Sequence, residues 1–158
     1  MKFISENIID QVTEEIGESE TAFKKATLEL REEQPSVTAY IFSENFDLFT
    51  QGEKEYFLFL ALVIFKSIKS EAGDLKNISE NTLGKHEEIN WQILGSVTAK
   101  KFRERIDIFF KNYHQEDLLA FVEDSLMEEE EEMVTKVGRE PMFVALKSII
   151  DVWCDNNE

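Results

Sequence analysis

The stretch Tyr56-Phe57-Leu58-Phe59-Leu60-Ala61-Leu62-Val63-Ile64-Phe65 decides the fold, because it places ten consecutive apolar residues in one segment. A helix with this sequence has no polar stripe and must be covered on every side. Thr50 and Glu53 form a capping-box pattern just before it, and Gly73 follows it where helices commonly end. These signals predict a helix over residues 51–70 rather than a strand. A membrane span is not expected, since the run is about half the roughly 20 residues that a bilayer requires.

The composition predicts one domain, over residues 1–158, with its own hydrophobic core. Of the 158 residues 42% are hydrophobic, and the chain contains 13 Phe but only 6 Gly and 2 Pro. A chain of this size buries about 68–70% of its unfolded surface, which is enough for a core without disulfides or metals. The single Cys154 excludes an internal disulfide, and no secretory signal is visible at the start. We therefore expect a cytoplasmic protein.

The formal net charge of −16 at pH 7 restricts the partners that the protein can bind. Nucleic acids and anionic membranes bind proteins largely through Lys and Arg, so we expect neither as a partner. A basic protein would be attracted. The alternative is that the acidity only keeps the protein soluble.

Apolar spacing and punctuation predict about eight helices, packed as antiparallel hairpins around the helix at residues 51–70. The fold class is therefore all-α. Gly138 is expected to end the segment that precedes the last helix. The other expected helices cover about residues 5–16, 19–32, 35–48, 79–94, 97–112, 115 onwards, and 141–154.

The two halves of the chain show similar patterns. Residues 34–41 (QPSVTAYI) align with residues 115–122 (QEDLLAFV), and apolar positions before these strings also correspond. A hidden duplication of helical hairpins would produce this similarity, with related four-helix halves at residues 1–73 and 79–154. The alternative is chance agreement between two amphipathic patterns.

Three aromatic residues, Phe42, Phe46 and Phe49, form a second apolar face on the predicted third helix. Either this helix is sandwiched inside the bundle, or the three side chains are an exposed anchor for a partner or for a second copy in a homodimer. Burial of each ring is worth roughly 1.5–3 kcal/mol, so an exposed face of this kind would promote association. Sandwiching is the favoured interpretation.

The segment His86-Glu87-Glu88-Ile89-Asn90 resembles the H-E-x-x-H zinc pattern with its second His replaced by Asn. One imidazole and one amide make a poor zinc site. His86 and Asn90 are therefore expected to be hydrogen-bonded structural residues. The alternative is a ligand or metal pocket in which His86, Glu87 and Asn90 are supplemented by carboxylates from another helix.

Five consecutive glutamates follow the predicted seventh helix and are candidates for contact with a basic partner or a divalent cation. They are Glu128, Glu129, Glu130, Glu131 and Glu132. They lack the alternating carboxylates that fold a loop around Ca²⁺. A solvated helix surface or a flexible connection is the alternative, and the sequence leaves open whether the seventh helix continues through them.

The sequence contains no G-x-S-x-G motif, no phosphate-binding glycine loop and no C-x-x-C motif, so we predict no catalytic residue, cofactor or metal. The preferred hypothesis is a non-catalytic interaction module, an acidic helical adaptor or inhibitor that docks a basic protein. The alternative is a small-molecule or metal-binding helical domain, or an enzyme, with its pocket near His86, Glu87 and Asn90.

Overall fold

The computed structural model describes residues 1–127 and 133–156, and within those residues the protein is all-helical, without strands. The all-α prediction is confirmed. No helix in these ranges is long and apolar enough to cross a membrane. The α-helices are α1 Glu6–Gly17, α2 Glu20–Glu33, α3 Pro35–Ile41, α4 Gln51–Ala72, α5 Glu80–Gly95, α6 Phe102–Ile106, α7 Glu116–Leu126 and α8 Lys136–Asn156.

The predicted central segment lies entirely within α4 and has no exposed side chain. Tyr56 and Phe59 are half-buried, and the other residues of positions 56–65 are buried. α4 packs against α1, α2 and α8, which together cover it. At roughly 1.5–3 kcal/mol for each large apolar side chain, this burial is a main contribution to the core. The arrangement of the remaining helices as antiparallel hairpins stays a prediction.

Both ends of α4 follow the predicted local signals. The Thr50 hydroxyl accepts from the Glu53 backbone N–H at 3.1 Å, while the Glu53 carboxylate accepts from the Thr50 N–H at 2.9 Å. This capping box satisfies amides that have no partner within the helix. The helix ends at Gly73, whose φ of +75° is adopted without strain only by glycine.

α8 is a second buried helix, and it is longer than predicted. It begins at Lys136 rather than at Pro141, so the prediction that Gly138 ends the preceding segment is wrong. The Thr135 hydroxyl accepts from the Gly138 N–H at 3.2 Å and caps the helix one turn earlier than expected. Its packing partners are α4, α5 and α7. Every side chain of residues 142–154 is buried except Asp151, which is half-buried.

α3 ends at Ile41, although the sequence predicts a helix to residue 48. A 3₁₀ turn at Glu44–Phe46 follows and directs Phe46 and Phe49 into the core. Their ring centroids lie 4.8 and 5.7 Å from that of Phe57, in edge-to-face arrangements that favour burial. Phe42 stays exposed. The three residues therefore do not share one face, and an exposed anchor made of all three is wrong.

α6 is also shorter than the predicted helix at residues 97–112, and it continues only as a 3₁₀ turn at Asp107–Phe110. The Arg105 guanidinium donates to the carbonyls of Val97 and Ala99 at 3.1 and 2.9 Å. The loop before α6 thus obtains hydrogen bonds from a side chain, and it needs no helix to satisfy these carbonyls.

A buried glutamine holds the segment that leads into α1. The Gln115 side-chain oxygen accepts from the Ile4 N–H at 2.9 Å, and its amide nitrogen donates to the Lys2 carbonyl at 2.8 Å. Because Gln115 directly precedes α7, these contacts join the second half of the chain to the start of the first.

A second glutamine makes the corresponding contacts in the other direction. The Gln34 oxygen accepts from the Ile78 N–H at 3.3 Å, and its nitrogen donates to the Lys76 carbonyl at 3.0 Å, just before α5. The two bound segments, residues 2–7 (KFISEN) and 76–81 (KNISEN), differ at one position. The reciprocal contacts support the hypothesis of a duplication.

Candidate functional site

Asn90 belongs to a buried polar cluster between α5 and α8. Its amide nitrogen donates to the Ser148 hydroxyl at 2.9 Å and to Asp151 Oδ2 at 3.1 Å. Its oxygen accepts from Lys147 Nζ at 3.0 Å. Both ends of the amide are used inside the protein, as expected for a structural residue.

Lys147 and Asp151 form the charged centre of this cluster, with 2.8 Å between Nζ and Oδ2. The Tyr113 hydroxyl donates to the other Asp151 oxygen at 2.5 Å. The Lys147 ammonium also lies 4.8 and 5.2 Å from the ring centroids of Tyr113 and Phe109. Burial and the nearby Asp151 charge raise the pKa of Tyr113, which therefore stays a protonated donor. Removal of one member of such a buried pair leaves an uncompensated charge and is strongly destabilising.

His86 and Glu87 contact different neighbours. His86 Nε2 lies 4.0 Å from Asp155 Oδ2, near the end of α8. Glu87 accepts from Trp91 Nε1 at 3.4 Å, and burial together with the Glu87 charge raises the pKa of Tyr40 on α3. Within residues 1–127 and 133–156, no three His, Cys, Asp or Glu side chains lie where they could hold one metal ion. The geometry gives no support to a pocket shared by His86, Glu87 and Asn90.

The predicted acidic partner surface at residues 128–132 lies outside the described residues. A different acidic surface is present between α1 and α7, where a groove of about 420 Å³ separates the two helices. Four carboxylates line it together with apolar side chains and the hydroxyl residues Thr13 and Ser125. The carboxylates are Glu6, Asp10, Asp117 and Asp124, and the apolar residues include Ile9, Ala120 and Phe121.

The charge of this groove follows from the sequences of the two helices. Neither α1 (ENIIDQVTEEIG) nor α7 (EDLLAFVEDSL) contains a single Lys or Arg. Each helix turns its aliphatic residues towards the core and its acidic residues outward. Because α1 and α7 pack against each other, their outward carboxylates share one surface.

Two contacts position this surface. Asp117 Oδ2 accepts from the Glu6 N–H at 2.9 Å, which fixes the start of α1 on α7. At the opposite end of α7, Arg103 lies 2.8 Å from a Glu123 oxygen and 3.6 Å from an Asp124 oxygen. Glu6 and Asp10 have no ion pair within the described part of the chain. Their charges repel the neighbouring carboxylates, and a cation placed between them would relieve this repulsion.

A pattern in the sequence marks both stretches that form this surface, although it does not show that they are in contact. Residues 3–23 and residues 112–135 contain no Lys or Arg, and these stretches include α1 and α7. Because the five consecutive glutamates lie in the second stretch, the acidic partner surface was predicted in that stretch alone. The first stretch contributes equally, because its helix lies beside α7.

The chain was also compared with known proteins. No protein-family model, curated protein or solved structure matches it. The argument for the groove therefore rests on its geometry and its charge.

Proposed function

We propose that the protein is a non-catalytic interaction module that binds a basic segment of another protein in the groove between α1 and α7. The observation that carries this proposal is the pairing of two adjacent helices that lack any Lys or Arg, with carboxylates beside apolar side chains. A Lys or Arg side chain fits both kinds of lining. Its methylene groups cover apolar surface, and its charged end reaches the carboxylates.

The groove is too small to be the whole interface. A stable protein complex buries about 800 Å² on each partner, whereas a groove of about 420 Å³ accepts only a few side chains. The exposed acidic surface continues along α1 through Glu14, Glu15 and Glu18. The partner is therefore a folded or extended basic segment that follows α1, with one or two of its cations inserted in the groove.

The net charge of the protein sets how this complex forms. At physiological ionic strength charges act over roughly 8 Å, so the acidic surface speeds the encounter only at short range. The association rate should fall as salt is added, because steering by charge depends on unscreened interactions. The proposal places the protein in the cytoplasm, with the single cysteine as its supporting observation.

The experiment compares two double variants that change the net charge equally. Asp10→Lys with Asp124→Lys alters the groove, whereas Glu32→Lys with Glu88→Lys alters exposed, unpaired positions on α2 and α5. Each protein is used to capture partners from its native cell extract at low salt, and the captured proteins are quantified.

A basic protein should be captured by the wild type and by the α2–α5 variant, but not by the groove variant. The purified basic protein should bind the groove variant at least about tenfold more weakly than the wild type, a difference of about 1.4 kcal/mol. Equal loss in both variants would show that only the net charge matters, and the groove would then not be the site. Thermal melting of both variants confirms that they are folded.

A further inference from the structure

A second groove, of about 440 Å³, has the opposite charge. It lies where the loop before α6 meets the first turns of α8, and five cationic side chains line it. The chain has 17 Lys and Arg against 33 Asp and Glu, so this local excess of positive charge opposes the overall composition. The cations are Lys100, Lys101, Arg103, Lys136 and Arg139.

Ion pairs within the described part of the chain neutralise few of these cations. Arg103 is paired with Glu123, but the other four cations have no ion pair within residues 1–127 and 133–156. One acidic side chain, Glu140, also lines the groove, and it is held by Arg105 at 3.1 Å. Among the described residues, five cations and one carboxylate therefore line the groove.

The Arg139 side chain contains one buried hydrogen-bond donor that is not used by the described residues. Its Nε atom is shielded from solvent and has no hydrogen-bond partner in the described part of the chain. A buried donor without an acceptor is unfavourable, because it has lost its hydrogen bond to water. A turn of the Arg139 side chain would present Nε and a terminal nitrogen together to an oxyanion in the groove, which would supply the missing acceptor.

The cations at the start of α8 oppose the helix dipole. The first turn of this long helix contains Lys136 and no acidic residue, although the N-terminal end of a helix carries partial positive charge. A cation at this position is unfavourable, whereas an anion is favoured there. The same arrangement thus lowers the stability of the free protein and favours a bound anion.

We propose that this groove binds a small ligand that carries a diphosphate group. Five cations are more than one phosphate group can contact. Lysine ammonium groups and planar arginine guanidinium groups can together bind several phosphate oxygens. Phe102 and Met127 also line the groove and would contact an organic group attached to the diphosphate. Nucleic acid fits less well, because beyond roughly 8 Å it would lie against the carboxylates of a protein with net charge −16.

Calorimetric titration with inorganic pyrophosphate tests the proposal, with Lys136→Glu as the groove variant. The wild type should bind one pyrophosphate, with an affinity that falls as salt is added. Lys136→Glu should weaken this binding at least about tenfold. It should also raise the melting temperature of the free protein, because it places an acid at the start of α8. Lys25→Glu, at an exposed and unpaired position of α2, should leave the pyrophosphate affinity unchanged.

Two results would overturn the proposal. One is the absence of pyrophosphate binding to the wild type at low salt, and the other is an equal affinity for Lys136→Glu and Lys25→Glu. A short single-stranded RNA serves as a competitor. If it bound the groove more tightly than pyrophosphate, the assignment to a small ligand would be wrong.

Discussion

The Glu53 carboxylate of α4 accepts hydrogen bonds from both the backbone N–H and the hydroxyl of Thr135, at 3.1 and 3.0 Å. Its other oxygen accepts from the backbone N–H of Thr50 at 2.9 Å. Thr50 and Thr135 directly precede α4 and α8. One carboxylate, in a residue only 3% exposed, therefore joins the starts of the two buried helices.

Replacement of Glu53 by alanine should lower the free energy of unfolding by about 2–4 kcal/mol. Hydrogen bonds to a charged acceptor contribute roughly 1.5–3 kcal/mol, and the change leaves donors of Thr50 and Thr135 unpaired. Urea denaturation measures the loss. The matched control is Glu55→Ala, an exposed residue of the same helix, which should change stability by less than about 0.5 kcal/mol. Similar losses in both variants would contradict the role of Glu53.

Gly138 lies so close to Glu53 that a Cβ atom there would overlap Glu53 Oε2. Because hydrogen bonds fix this oxygen, Gly138→Ala should destabilise the protein by about 1–3 kcal/mol. A double-mutant cycle checks the cause, since most of this loss should disappear in the Glu53→Ala background. Gly84, in the middle of α5, has open space around its Cβ position, so Gly84→Ala should stabilise by about 0.5–1 kcal/mol. If the stability losses from Gly138→Ala and Glu53→Ala were simply additive, a clash between the two residues would be excluded as the cause.

The stability of the protein should depend on the ionisation of Glu53. Burial acts to raise the pKa of this carboxyl, but hydrogen bonds from Thr50 and Thr135 outweigh it and hold the pKa below its ordinary value of 4.5. A group with a lowered pKa in the folded state stabilises the protein above its unfolded pKa, and this stability is lost as the pH falls through the folded pKa.

Measured as the free energy of unfolding against pH, stability should therefore fall below about pH 4.5. Glu53→Gln should make this acid slope shallower, whereas Glu55→Gln should keep the slope of the wild type. An unchanged slope in Glu53→Gln would show that Glu53 is not ionised more readily in the folded protein than in the unfolded one.

The two buried glutamines should contribute similar amounts to stability. Gln34→Leu and Gln115→Leu each leave a backbone N–H and a carbonyl without their partners, which should cost about 1–3 kcal/mol. Gln92→Leu, at an exposed position of α5, is the control and should have little effect. Denaturation curves that gave a large loss for one glutamine and none for the other would contradict their equivalence.

The sequence predicted α4 well because its signals are local. The capping box, the apolar run and the final glycine all lie within one continuous segment. The start of α8 could not be predicted in this way, because Thr135 is held by Glu53, 82 positions away in the chain. The burial of Lys147 and Asp151 on α8 was not predicted either. They are enclosed because Asn90 and Tyr113, from distant segments, supply their partners.

The duplication stays a prediction, and distant contacts also limit how far the sequence alone could indicate it. The alignment of residues 34–41 with 115–122 needs a different offset from that of residues 2–7 with 76–81, and the greater length of α5 (16 residues against 12 in α1) explains part of this difference. The hydrogen bonds of Gln34 and Gln115 place both pairs of segments in corresponding roles.

Acidity was predicted from composition, but the candidate groove was not. The groove forms because α1 contacts α7. One hydrogen bond in this contact, from the Glu6 N–H to Asp117, joins residues that are 111 positions apart in the chain. No pattern within either helix indicates that the two are neighbours. The predicted common face of Phe42, Phe46 and Phe49 does not form, because the helix breaks after Ile41 and only Phe46 and Phe49 turn into the core.

Nuclear magnetic resonance titration of the isotope-labelled protein with a lysine- and leucine-containing helical peptide tests the acidic groove most directly. The account predicts chemical-shift changes concentrated in α1 and α7 that weaken with salt and are absent in the Asp10→Lys, Asp124→Lys variant. Changes spread evenly over all acidic surfaces, or centred on α5, would contradict it.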